Sequence, residues 1–289
     1  MCRLFGLLTT RDDERAEPWL VASERSLLAQ SHASPETAQR DGWGIGWFVD
    51  PNRVHVDKGI RGAFEPSERD RFTAAAKASR PPLVVGHLRH ASNPLGLPSE
   101  QLLGVENSQP FDTHTALFAH NGAIPFPKET RPFLGVHEGK VKGVNDSEVL
   151  FWLLLRNAEE TRDPLRGYVQ SVEDLVRVWI AAGRPKVPPF SGLNVLYAPS
   201  SAELWAFCLW TGDHGPGLFD RSRRYYEMSY RAAPHRLIVG SEPFDTEPGT
   251  WTSLASGTYL HAVRADGHVE LHRGTIPLPN RLEIAPVPA

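Results

Sequence analysis

Only two of the 289 residues are cysteines, Cys2 and Cys208. Two thiols cannot build the disulfide framework of a small secreted domain, and these two form no zinc-spaced cluster. No apolar run approaches the roughly 20 residues of a membrane-spanning helix. The short apolar patch Leu4 to Leu8 is followed at once by Arg11-Asp12-Asp13-Glu14-Arg15, so the start of the chain is no signal peptide. Positive charge is not in excess: 31 Lys and Arg against 34 Asp and Glu leave a net charge of −3. That balance argues against a general binder of nucleic acid or membrane surfaces. The G-x-S-x-G nucleophile elbow is missing. His87, His90 and His120 lack any H-x-x-x-H or His/Asp partner with metal spacing. No internal repeat or low-complexity tail occurs. These absences leave a protein expected in the cytoplasm with reduced thiols, and needing no metal.

What is present is an ordinary globular composition, 40% apolar and 22% charged, with 24 Gly and 25 Pro to shape long loops. The length permits a sizeable core and is read as a single domain over residues 1–289. Arg3 to Thr10 reads as a first strand. Pro18 to Gln30 carries apolar residues at helical spacing. Gly42 to Asp50 and Arg53 to Lys58 read as strands around an Asp50-Pro51-Asn52 turn. Ser67 to Ala78 reads as a helix capped by Ser67. Leu83 to Arg89 and Thr115 to His120 are short apolar strands. Ser147 to Ala158 and Ser171 to Ala182 are apolar helices. Strands follow at Gly192 to Tyr197, Glu203 to Leu209, Arg236 to Gly240, Gly257 to Arg264 and His268 to Arg273. Pro125 to Val144 and Thr211 to Pro234 read as long surface excursions. Strand-rich ends around central helices indicate an α+β protein with packed sheets covered by helices.

Cys2 carries the most chemistry. Removal of Met1 would place its thiol, of pKa about 8.5, beside a free α-amine of pKa about 8. A base beside a nucleophile activates sulfur for attack on a carbonyl. The alternative is a buried cysteine in a first strand. Cys208, inside an apolar strand, is read as an inert core residue. In Asp41-Gly42-Trp43-Gly44-Ile45-Gly46-Trp47, alternate glycines leave one strand face bare, so another backbone or a ligand can approach closely. Arg89 at a strand end is either a surface ion-pair partner or a planar fork for a carboxylate. Asn121-Gly122 is a turn signal, and it also aims the Asn121 amide and the Gly122 N–H at one point, as an oxyanion hole requires. In Asn145-Asp146-Ser147-Glu148 either Asn145 or Asp146 serves as helix N-cap. Asp146 could instead present a carboxylate to an ammonium.

Six segments stand in a telling order: Met1-Cys2-Arg3-Leu4-Phe5-Gly6, Asp41-Gly42-Trp43-Gly44, His87-Leu88-Arg89-His90-Ala91-Ser92, Asn107-Ser108-Gln109-Pro110-Phe111, His120-Asn121-Gly122 and Asn145-Asp146-Ser147-Glu148. In that order they resemble the class II glutamine amidotransferase domain, an N-terminal-nucleophile hydrolase, and Val239-Gly240-Ser241-Glu242-Pro243 adds a later match. The resemblance implies a four-layer αββα sandwich. It implies Cys2 as nucleophile, Asn121 and Gly122 as oxyanion hole, Arg89 on the glutamine α-carboxylate with Ser92 helping, and Asp146 on the α-ammonium. It implies no cofactor. With no synthase, phosphoribosyltransferase or sugar isomerase segment before Ala289, the chain looks like the stand-alone subgroup, which includes the γ-glutamyl amidase of ergothioneine biosynthesis. The expected activity is hydrolysis of the γ-amide of glutamine or of a γ-glutamyl conjugate through a thioester. The alternatives are a glutaminase subunit feeding ammonia to a separate synthase, and a non-catalytic binding module on the same scaffold.

Overall fold

Side-chain alternation along the strands decides how this chain is layered. The structure, a computed structural model, describes residues 2–279. Its strands are β1 (Arg3–Thr9), β2 (Trp43–Asp50), β3 (Arg53–Gly59), β4 (Leu83–Leu88), β5 (Phe111–Asp112), β6 (Leu117–Gly122), β7 (Leu193–Ser200), β8 (Glu203–Cys208), β9 (Met228–Ala233), β10 (Arg236–Gly240), β11 (Thr252–Leu254), β12 (Thr258–Ala265) and β13 (His268–Thr275). Three long helices accompany them among the described residues: α1 (Pro66–Ala78), α2 (Asp146–Thr161) and α3 (Pro164–Ala181).

One sheet has the order β11-β9-β10-β1-β4-β2-β3, the other β13-β12-β8-β7-β6-β5. Leu4 and Leu8 of β1, Leu83 and Val85 of β4, and Leu117 and Ala119 of β6 share the core between the sheets. The opposite faces have cores of their own. Phe5 and Leu7 pack with Phe72, Ala75 and Ala76 of α1. Phe118 and Val195 pack with Phe151, Leu154 and Leu175 of α2 and α3. Three cores thus separate four layers, helix, sheet, sheet and helix, and the architecture is an αββα sandwich.

The bare face of β2 points inward. A Cβ at Gly44 would run into the carbonyl of Gln109 and one at Gly46 into the Leu117 side chain, so these glycines admit the facing layer and not a ligand.

Several local expectations need correction. Pro18 to Gln30 is not one helix: a π-helical turn, Pro18–Ala22, precedes a separate turn, Leu27–Gln30. Ser26 divides them, because its hydroxyl accepts from Ala29 N at 3.2 Å and caps a new start. Ser67 does not cap α1. Pro66, lacking an N–H, takes the first helical position, and Glu65 stands before it with no side-chain cap. Helix α3 begins seven residues earlier than Ser171, at an Asp163-Pro164 start in which Asp163 Oδ1 accepts from Leu165 N at 2.9 Å. The Thr211 to Pro234 stretch is no simple surface loop. Its last part is β9, paired with β10 and β11. Tyr225, Tyr226 and Tyr230 are buried. Pro125 to Val144 contains the helical turns Pro127–Thr130 and Arg131–Lys140.

Candidate active site at one end of the sandwich

Strand register brings the first two candidate residues together. In the β1–β4 ladder Arg3 lies opposite Leu88 and Leu4 opposite His87, which carries Cys2 to the position across from Arg89. Cys2 continues the alternation of Leu4 and Leu8, so it belongs to the inter-sheet face. It is 7% exposed, and its Sγ lies 3.6 Å from the carbonyl of His90. Burial raises the thiol pKa. Arg89 acts in the opposite direction and Asp146 adds to the rise. The resting group is therefore a neutral thiol.

Arg89 is buried. Its Nη1 donates to Asp41 O at 3.1 Å and to Leu102 O at 2.7 Å. The neighbouring backbone is clasped as well: Arg89 N donates to Gly42 O, and Ala91 N to Asp41 Oδ2. Of the guanidinium, only Nη1 is hydrogen-bonded among the described residues, so the rest of the fork can face a ligand. Burial lowers its pKa, and the charges of Cys2, Asp41 and Asp146 oppose that shift.

From the other sheet come Asn121 and Gly122, at the end of β6. Asn121 follows Leu117 and Ala119 onto the inner face. It is fully buried, and neither Nδ2 nor Oδ1 has a hydrogen-bond partner among the described residues. A buried amide without partners is costly and marks a place where a partner arrives. Gly122 could be nothing else, because a Cβ there would collide with the carbonyl of Gly192. The preceding His120 holds the strand end. Its ring touches Ser147 Oγ at 2.9 Å and Gly192 O at 3.0 Å, and its backbone is gripped on both sides by the Gln109 amide.

Helix α2 delivers Asp146. Asn145 is its N-cap, with Oδ1 accepting from Ser147 N at 2.9 Å, so the Asp146 carboxylate is not spent on capping. That carboxylate accepts from Ser92 Oγ at 2.9 Å and from Ile124 N at 2.8 Å. Ser92, expected on a substrate carboxylate, gives its hydroxyl to Asp146 here. Asn107 pins the turn before the helix, since its Oδ1 accepts from Val144 N and Asn145 N.

A cavity of about 290 Å³ opens at this end, with Ser92, Gly122, His90, His214, Tyr225 and Tyr226 among its lining. The arginines of the 211–234 excursion do not line it. Arg224 pairs with Asp213, Arg231 with Asp245 and Glu247, and Arg223 donates to the carbonyls of Glu227 and Met228. Of the excursion's tyrosines, Tyr225 and Tyr226 wall the cavity and Tyr230 does not.

Sequence reasoning assigned no role to Asn107, Gln109, Asp41 or His120, although all four lie in or beside the quoted segments. Their signal was position alone. What they do depends on partners distant in the chain. Cys208 is a buried core residue whose thiol meets Leu254 O at 3.1 Å. Among the described residues no group of three or more His, Cys, Asp or Glu is placed to share a metal ion. Nor is any helix long and apolar enough to cross a membrane.

Comparison with known proteins adds a family. The family model described as "Glutamine amidotransferases class-II" matches residues 1–211. No curated protein matches. Among solved structures, a glutamine aminotransferase class-II domain protein from Silicibacter pomeroyi superposes with a TM-score of 0.62 at 20% identity, over 96% of this chain and 100% of that one. Glutamine phosphoribosylpyrophosphate amidotransferase from B. subtilis superposes with a TM-score of 0.56 at 17% identity, over 94% of this chain and 49% of that one. At these identities the likeness is one of fold.

Proposed function

The chain belongs to the class II glutamine amidotransferases, and on that premise we propose that it is a cysteine-dependent amidohydrolase acting on the γ-amide of glutamine or of a γ-glutamyl conjugate. The observation that carries this reading is the partnerless, fully buried amide of Asn121 at the end of the inter-sheet space that also holds Cys2. A protein keeps such a group where a developing negative charge is to be met.

In the proposed mechanism, removal of Met1 frees the α-amine of Cys2. As Sγ attacks the γ-carbonyl carbon, this amine accepts the thiol proton, directly or through a water. The raised thiol pKa makes that base necessary. Asn121 Nδ2 and Gly122 N–H hold the oxyanion. The intermediate collapses, the C–N bond breaks, and the departing nitrogen takes the proton back from the amine. Water, deprotonated by the same amine, then cleaves the γ-glutamyl thioester and restores the thiol. Arg89 holds the α-carboxylate throughout. Asp146, aimed by the hydrogen bonds it accepts from Ser92 Oγ and Ile124 N, holds the α-ammonium. The wall of His214, Tyr225 and Tyr226 leaves room for an amine larger than ammonia.

Intact-mass analysis after exposure to a glutamine-like electrophile tests the reading. One label per chain is expected, on a protein lacking Met1, with none on Cys2→Ala. Labelling that persists in Cys2→Ala, or full hydrolytic activity in that variant, would sink the thiol mechanism.

A further inference from the structure

A second cleft lies away from Cys2, where the sandwich is open at its side. Strands β3 and β5 are the edge strands of their respective sheets, and β5 is only two residues long. Between them and α2 is a cavity of about 360 Å³, larger than the one beside the candidate nucleophile. Its floor is aromatic, formed by Phe111 and Trp152. Lys58 reaches into it from β3, with Nζ 5.6 Å from the centre of the Phe111 ring.

The polar groups of this cleft are incompletely matched. No carboxylate forms an ion pair with Lys58 among the described residues, although burial presses its ammonium toward neutrality and the fields of Asp112, Glu148 and Glu106 oppose that. Glu148 is occupied, accepting from Lys142 N at 2.9 Å and Gly143 N at 2.7 Å. Asp112 and Glu106, at the rim, have no hydrogen-bond or ion-pair partner for their carboxylates among the described residues. Trp152 is only 7% exposed, and its indole N–H is buried without a partner. Its ring is held by His137 stacked at 5.5 Å and Lys140 at 5.2 Å. The cleft therefore offers an inner cation, Lys58, an outer one, Lys142, outer carboxylates and aromatic faces. A purely anionic ligand would face the rim acids, and a purely cationic one would face Lys58 and Lys142.

We propose that this cleft is a second ligand site, distinct from the catalytic cavity, and that it takes an aromatic amino acid. The carboxylate meets Lys58, the ammonium meets Asp112 and Glu106, and the ring lies on Phe111. Such a pocket is of the size that small ligands occupy.

Calorimetry on the full chain with L-phenylalanine, 3-phenylpropionate and 2-phenylethylamine tests this without any turnover. Phenylalanine is expected to bind saturably, and each analogue, lacking one charge, at least about tenfold more weakly. Lys58→Gln should weaken phenylalanine about tenfold or more and leave phenylethylamine unchanged. Asp112→Asn should weaken phenylalanine and leave phenylpropionate unchanged. Melting curves establish that the variants are folded, and the analogue series needs no variant. Asp146→Asn separates the two sites: binding retained there supports the proposal, whereas binding lost there and kept in Lys58→Gln puts the ligand in the catalytic cavity and overturns it. Absence of saturable heat at millimolar phenylalanine, or equal affinity for phenylalanine and phenylpropionate, overturns it as well.

Discussion

Ser92 donates its hydroxyl to Asp146 Oδ1 across 2.9 Å, joining the segment that follows β4 to the first turn of α2. The bond ties the half of the site that carries Arg89 to the half that carries Asp146, and it crosses from one sheet's layer to the other's helix. Ser92→Ala should therefore loosen Asp146 without touching the nucleophile. The expected result is a KM raised about tenfold, in keeping with a hydrogen bond to a charged group, with kcat nearly unchanged. Steady-state kinetics on glutamine or a γ-glutamyl amide check it. A kcat loss with constant KM would place Ser92 in the chemical step instead.

Asn121→Ala separates catalysis from stability in an unusual direction. The amide is buried and unpartnered, so its removal relieves an unsatisfied polar pair. Thermal stability should hold or rise. Activity should fall by about 100- to 1000-fold in kcat, the cost of losing one oxyanion donor. Unfolding curves and kcat measured on the same preparation decide the point. A destabilised but active variant would contradict the assignment.

The pH dependence of stability has a predicted sign. His87 and His120 are fully buried, and burial lowers both pKa values, with the charge of Arg89 adding to the effect at His87. Folded, they stay neutral, whereas unfolded they take protons below the ordinary histidine value of about 6.5. The unfolded state then binds more protons, so stability is full above that pH and is lost as pH falls toward the depressed folded values. Each group contributes up to about 1.4 kcal/mol per pH unit. His87 has no hydrogen-bond partner on either ring nitrogen among the described residues. His87→Leu should keep the fold and flatten the decline between neutral and mildly acidic pH. Denaturant unfolding at several pH values measures the slope, and an unchanged slope would acquit His87.

Leaving-group preference should follow the tyrosine wall. With His214, Tyr225 and Tyr226 beside the cavity, kcat/KM should be higher for γ-glutamyl conjugates of larger amines than for glutamine. His214→Ala should narrow that difference while sparing glutamine. A panel of γ-glutamyl amides supplies the comparison. A clear preference for glutamine that His214→Ala does not alter would favour a glutaminase subunit serving a separate synthase.

The α+β class and most element positions were legible from sequence because they rest on local periodicity. The inward set of β1 and β4 and the apolar stripe of α2 can be read residue by residue. β9 carries the same kind of alternation, Met228 and Tyr230 with Ser229 and Arg231, but it lies inside the stretch Thr211 to Pro234 that reads as a long excursion. The chemistry-bearing residue types at Cys2, Arg89, Asn121 and Asp146 were also present in the chain order. What only the tertiary structure decided was which groups meet. Register across β1 and β4 set Cys2 opposite Arg89. Either Asn145 or Asp146 suits an N-cap, and the choice of Asn145 depended on Asn107, far off in the chain. Ser92 found Asp146, while Arg224 and Arg231 of the excursion were drawn to carboxylates outside the cavity. Secondary structure follows from a few neighbouring residues, whereas the partner of a polar side chain is set by long-range packing that leaves no period in the sequence.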